Sequence, residues 1–193
     1  MNLRVKIDEI KDAGLDLQRE LPQAALGAIL DAEPPTGFAA AAPATLAVHF
    51  DRVNDRDIVA RGGFDAAVAA DCRRCLAPVR IDLPVKFELD FVNASKVKEL
   101  APGRDEDSGE GEIGGTFRPD EADQVAYTGQ ELDLEPVVRE QLLLALPMDA
   151  LCTEDCKGLC QVCGGNLNES VCSCDRHVPD PRWAGLKDIK LPK

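Results

Sequence analysis

A chain of 193 residues has room for one ordinary domain, or one domain with a small appended module, and not for two large domains. Apolar residues reach 45% but aromatics only 4%, so each core residue buries little area and cross-links other than packing would compensate. The net charge of -13 excludes a broadly basic nucleic-acid binder, and no run approaches the roughly 18 apolar residues that span a bilayer.

Met1 to Glu9 is charged and alternating, unlike a signal peptide, which points to the cytoplasm. Leu3, Val5 and Ile7 alternate with charged residues, predicting a strand over 2–8. From Gly14 to Leu30 the pattern is mixed and broken by Pro22, so only a loop and a short helix, Gln23 to Leu30, are expected. Leu46, Val48 and Phe50 alternate with Thr45, Ala47 and His49, giving a second strand, and Asn54-Asp55-Arg56-Asp57 supplies a hairpin turn. Ile58 to Ala70 returns as a strand bent at Gly62-Gly63.

The clearest alternation runs from Val79 to Phe91, with Val79, Ile81, Leu83, Val85, Phe87, Leu89 and Phe91 on one face. Pro84 lacks an N–H and marks an edge or bulged position there. From Glu99 to Asp123 acidic residues face only Arg104 and Arg118 among glycines and prolines, and residues 99–124 read as a solvated, disordered loop. Asp133 then caps a helix over 134–146 with Pro136 in its first turn. Leu134, Val137, Val138, Leu142, Ala145 and Leu146 share its apolar stripe before Pro147. The expected fold class is α+β: a mainly antiparallel β-sheet domain over 1–147 with one main packing helix, and a cysteine-rich zinc module over 148–193 docked on it.

Eight cysteines in a reducing compartment point to metal rather than disulfides. Cys72 and Cys75 fall between two predicted strands, at a hairpin tip where two thiolates two residues apart converge on one ion at about 2.3 Å. One C-x-x-C alone is a weak signal. Cys152, Cys156, Cys160, Cys163, Cys172 and Cys174 form a stronger one, with Gly164-Gly165 after Cys163 allowing the chain to turn around an ion. Pairing the pairs gives one zinc to Cys160, Cys163, Cys172 and Cys174, and another to Cys72, Cys75, Cys152 and Cys156. A single site with four free thiols, His177 replacing a cysteine, and an iron–sulfur cluster stay open.

All-sulfur ligation leaves no open position for a hydrolytic water, and His49 reads as a satisfied strand residue. Neither a phosphate loop nor a nucleophile elbow occurs, so no enzyme and no small-molecule substrate is expected. Local basic groups that RNA can meet are Arg73 and Arg74 at the hairpin, and Arg182 and Lys187 beside Trp183 in the tail.

The string Cys72-Arg73-Arg74-Cys75-Leu76-Ala77-Pro78, the long alternating strand, the acidic gap, the helix, Cys152 to Asn168 with its Cys-Lys-Gly-Leu-Cys-x-x-Cys-Gly run, and the ending Asp180 to Lys187 resemble the YceD family. The resemblance implies ribosome biogenesis: support of large-subunit ribosomal RNA accumulation or processing. It also implies that zinc stabilises one branch, since many members lack the C-terminal cysteines. An acidic chain of this kind suits a basic ribosomal protein or a large-subunit assembly intermediate as partner. The alternative is a generic zinc-bearing interaction module in another pathway.

Overall fold

The computed structural model describes residues 3–54, 57–94, 123–175 and 182. Its order is β1 (Arg4–Lys6), a 3-10 turn (Ile7–Glu9), β2 (Leu15–Leu21), α1 (Gln23–Leu30), β3 (Ala39–Ala40), β4 (Ala44–Arg52), β5 (Asp57–Asp71), β6 (Pro78–Asn93), β7 (Gln124–Tyr127), β8 (Glu131–Asp133) and α2 (Glu135–Ala145). The architecture is the α+β one expected, mainly antiparallel. The main sheet runs β2-β4-β5-β6-β7, with β3 on β5, and β1 pairs with β8 in a separate ribbon. β7 lies parallel to its neighbour, β6.

The chain divides into two compact units, residues 1–70 with 80–148 and residues 71–79 with 149–193. The tip of the β5–β6 hairpin thus belongs with the C-terminal segment. The acidic stretch read as a disordered loop lies, from residue 95 to 122, outside the described residues.

Period-two sequence became sheet wherever one face met the core. Leu46, Val48 and Phe50 of β4, Ile58, Ala60 and Phe64 of β5, and Leu83 to Phe91 at alternate positions of β6 are buried in one cluster with Val137, Val138 and Leu142 of α2. α2 begins one residue later than its sequence implies: the N-cap is Leu134 rather than Asp133, whose Oδ1 accepts the N–H of Glu135 at 2.9 Å from the preceding position, and Pro136 occupies the first turn. Pro84 sits in β6 beyond the reach of β7, which covers only Asp90 to Asn93.

Strand β2 corrects the expected loop. It pairs residue for residue with β4, from Leu15 opposite Phe50 to Leu21 opposite Ala44, yet only Leu17 and Leu21 are buried. Arg19 breaks the apolar alternation, as a sheet-edge strand tolerates.

β5 runs as one strand through Gly62 and Gly63, its β4 register continuous from Ile58 to Gly63. A Cβ on Gly63 would enter the van der Waals shell of the Val85 carbonyl oxygen on β6. The glycine is there for close approach of backbones.

On the exposed sheet face a polar ladder crosses four strands. Asp16 on β2, His49 on β4 and Arg61 on β5 lie in register. His49 Nδ1 meets Asp16 Oδ1 at 2.7 Å and its Nε2 meets Asp51 Oδ1 at 3.2 Å. Arg61 donates to Asp51 at 2.6 Å and to Glu88 at 2.9 Å. His49 is thus the satisfied strand residue expected. Its pKa is raised, first by the hydrogen bond to Asp16 and then by that to Asp51. A raised folded-state value means the imidazolium stabilises the fold fully below the unfolded value of about 6.5 and that this is lost as pH rises through the folded value. The thermal midpoint of the protein relative to His49→Gln is therefore expected to be higher at pH 6 than at pH 8.5. A pH-independent difference in melting would refute it.

Candidate metal centre

All eight cysteines lie in the second unit, and the fold gathers them into two groups. The sulfurs of Cys72, Cys75, Cys152 and Cys156 lie within 4.8 Å of one another, as do those of Cys160, Cys163, Cys172 and Cys174. The grouping is the one obtained by pairing the pairs in sequence. Among the described residues no histidine joins either group, and His177 lies outside them.

Two knuckles of the same design start these groups. In the first, Cys72 N–H donates to the Ala77 carbonyl and Leu76 N–H donates back to the Cys72 carbonyl, each at 2.8 Å. In the second, Cys160 N–H donates to Gly165 and Gly164 N–H returns to Cys160, again at 2.8 Å. Both turn through a left-handed residue directly after the second cysteine: Gly164 at φ 71° and Leu76 at φ 60°. Glycine adopts that region freely, whereas an L side chain pays about 1–2 kcal/mol. Leu76, 63% exposed, gains little burial to offset this. Leu76→Gly is expected to leave the unit's stability unchanged or raise it by up to about 1 kcal/mol, and the β-branched Leu76→Val to lower it. Chelator-resisted melting measures both, and a destabilised glycine variant would show that the leucine side chain holds the knuckle.

The two arginines of the first knuckle are engaged inside the unit. Arg73 pairs with Asp149 at 2.6 Å while its N–H donates to the Ala150 carbonyl. Arg74 donates to the carbonyls of Glu154 and Cys156 at 3.1 and 2.9 Å and receives Leu159 N–H on its own carbonyl. They brace the 149–159 segment against the knuckle. Arg182 also has an interaction partner, and Lys187 and Trp183 lie outside the described residues.

The donor set fits one ion per group. Cys72 and Cys156 sulfurs stand 3.8 Å apart and those of Cys75 and Cys152 3.6 Å. A tetrahedron with ligand bonds of about 2.3 Å has edges of about 3.8 Å, and a disulfide would need about 2.05 Å. All four sulfurs lie too close together to enclose a polynuclear iron–sulfur cluster.

Electrostatics point the same way. Cys72 is drawn down to about 6, chiefly by the backbone N–H of Cys75, and Cys160 to about 6 by those of Cys163 and Val162. Cys75, although the Ala77 N–H favours its thiolate, is pushed up to about 12 by burial and the thiols around it. The Cys163 and Cys172 sulfurs push Cys174 up to about 12. Crowded sulfurs cannot all ionise unaided, and a divalent cation among them lets all four do so. Each group can hold one metal ion.

A small α+β protein carrying a paired four-cysteine module is the class that this fold and these centres define. The chain belongs to the YceD family: the family described as "Large ribosomal RNA subunit accumulation protein YceD" matches residues 60–190, a span that contains both cysteine groups. Among relatives, a chloroplastic "Large ribosomal RNA subunit accumulation protein YCED homolog 1" of Arabidopsis thaliana is 33% identical over 61 residues, 32% of this chain and 19% of that protein. An uncharacterized protein of Mycobacterium tuberculosis is 28% identical over 136 residues, 70% of this chain and 57% of its own length. One of Mycobacterium leprae is 27% identical over 151 residues, 78% of this chain and 61% of its own. The chain thus spans less than two thirds of each of these relatives. No solved structure matches it. No helix among the described residues is long and apolar enough to cross a membrane.

Proposed function

We propose that this protein is a cytoplasmic ribosome-biogenesis factor that supports accumulation or processing of large-subunit ribosomal RNA, with a structural zinc ion in each four-cysteine centre. The observation that carries the reading is the family match across residues 60–190, joined by relatives whose names state the same role. Zinc is the ion favoured by four thiolates in a closed tetrahedral set. A complete sulfur shell leaves no position for a bound water or substrate, which supports a binding role over an enzymatic one.

The partner we favour is a basic ribosomal protein or an assembly intermediate bearing one. A chain of net charge -13 draws such a partner by complementary charge and resists broad phosphate contact. The engagement of Arg73 and Arg74 within their own unit also favours protein over RNA as the direct contact.

Depletion of the protein is expected to lower large-subunit relative to small-subunit ribosomal RNA, read on sedimentation gradients. Tagged protein is expected to recover large-subunit precursors or free ribosomal proteins. An unchanged subunit ratio on full depletion would remove the assembly role and leave the generic interaction module.

A further inference from the structure

The two centres share a knuckle but differ in everything around it. The first draws its ligands from segments 77 and 84 residues apart in the chain. Cys72, Cys75 and Cys156 are buried, with Ala77, Val79, Leu151 and Leu159 packed against them, and Cys152 is exposed. Arg73 and Arg74 tie both segments together through Asp149, Ala150, Glu154 and Cys156. The second centre is contained within residues 160–174. Only Cys160 is buried there; Cys163 is exposed, and Cys172 and Cys174 are half-buried. Those last two sulfurs ride on residues 171–175, which have no regular structure, and Val171 between the arm and its turn is 83% exposed.

Replacement of a ligand on a four-coordinate ion begins with an incoming donor reaching the metal and one sulfur swinging away. The first centre hinders both steps: three of its four cysteines are buried, only Cys152 is exposed, and its ligand loops are pinned. At the second, Cys163 is exposed, Cys172 and Cys174 are half-buried, and the last two belong to an arm without regular structure. Loss of the second ion would also leave the first intact, because the chain between them is fastened by bonds that do not pass through that ion. Leu159 and Asn166 form a bridge, and Leu167 N–H donates to Gly158. The Asn168 side chain accepts Lys157 N–H at 2.8 Å and donates to the Cys156 sulfur at 3.3 Å.

We propose that the centres divide the work: the Cys72, Cys75, Cys152, Cys156 site holds its ion permanently, and the Cys160, Cys163, Cys172, Cys174 site exchanges zinc with its surroundings, ordering or freeing the 171–175 arm. The inference rests on the zinc reading of both centres.

The test uses the full chain loaded with two equivalents of zinc and challenged with excess 4-(2-pyridylazo)resorcinol in the presence of N-ethylmaleimide. Release is expected in two phases of one equivalent each, separated by on the order of 10- to 100-fold in rate. At the end of the fast phase, peptide mapping is expected to find alkylation at Cys163, Cys172 and Cys174 and none at Cys72, Cys75 or Cys156. The double variant Cys172→Ser/Cys174→Ser is expected to hold one equivalent and to release it at the slow rate. Single-rate release of both equivalents, first labelling at Cys75 or Cys152, or loss of both ions from the double variant would overturn the division alone. A chain that takes up no zinc when reduced would overturn the metal reading beneath it, and the division too.

Discussion

Cys72→Ser is expected to weaken the first centre's hold on its ion and destabilise the second unit while the first unit keeps its own cooperative transition. Structural zinc contributes about 10–16 kcal/mol to the fold it holds. Shared over four thiolates, one sulfur is worth about 2.5–4 kcal/mol, a fall in affinity of roughly a hundredfold to a thousandfold. Few alternatives can replace it: around Cys72, Cys75 and Cys156 the apolar company is Ala77, Val79, Leu151 and Leu159. The first unit has a separate core, with Leu46, Phe50, Phe91, Leu132 and Leu142 fully enclosed. Elemental analysis with differential scanning calorimetry reads both effects. Retention of the full metal content and an unchanged melt would show that these sulfurs carry no ion.

Gly63→Ala should cost the first unit about 3 kcal/mol or more, a large share of a domain's stability. The added methyl would meet the Val85 carbonyl oxygen and, at 3.3 Å, the Lys86 Cα. Both are backbone of β6 and cannot swing aside as a side chain would. The strands must separate, and β6 contributes Leu83, Val85, Phe87, Leu89 and Phe91 to the core. Gly27→Ala in the interior of α1 supplies the contrast: nothing lies within 4 Å of its added Cβ, so it should gain about 0.5–1 kcal/mol from helix propensity. Urea denaturation separates the two signs, and equal midpoints for the two variants would refute the steric account.

Long one-sided alternation made β4, β5 and β6 legible, because a strand with one wet and one dry face writes its period directly into the chain. Helices α1 and α2 were readable from Pro22, Asp133 and Pro136 at their starts. The short strands were not. β7 and β8 have four and three residues, too few to show a period, and β3 has two. Their pairing is decided by tertiary neighbours, as with Val5 opposite Leu132.

At the candidate centre, the close spacing of cysteines in four pairs, Cys72/Cys75, Cys152/Cys156, Cys160/Cys163 and Cys172/Cys174, named the sulfurs that meet, since each short pair can offer two ligands to one side. What spacing could not disclose was the kinship of Leu76 with Gly164. The signal was present: aligning Cys72-Arg73-Arg74-Cys75-Leu76 with Cys160-Gln161-Val162-Cys163-Gly164 puts leucine where the backbone wants glycine. Nor did the sequence show that Arg73 and Arg74 turn inward to carbonyl and carboxylate partners, for an exposed C-R-R-C reads equally as a basic tip.

The pairing of Cys75 with Cys152 across 77 residues also fixes an order of events at birth. Chain growth at about 5–20 residues per second leaves the early thiols waiting roughly 4 to 15 seconds for their counterparts to be translated. Throughout that interval the nascent polypeptide exposes two nucleophilic sulfurs that nothing yet covers. Pulse-labelling of ribosome-bound chains with a thiol reagent should therefore mark Cys72 and Cys75 until Cys152 and Cys156 have been made.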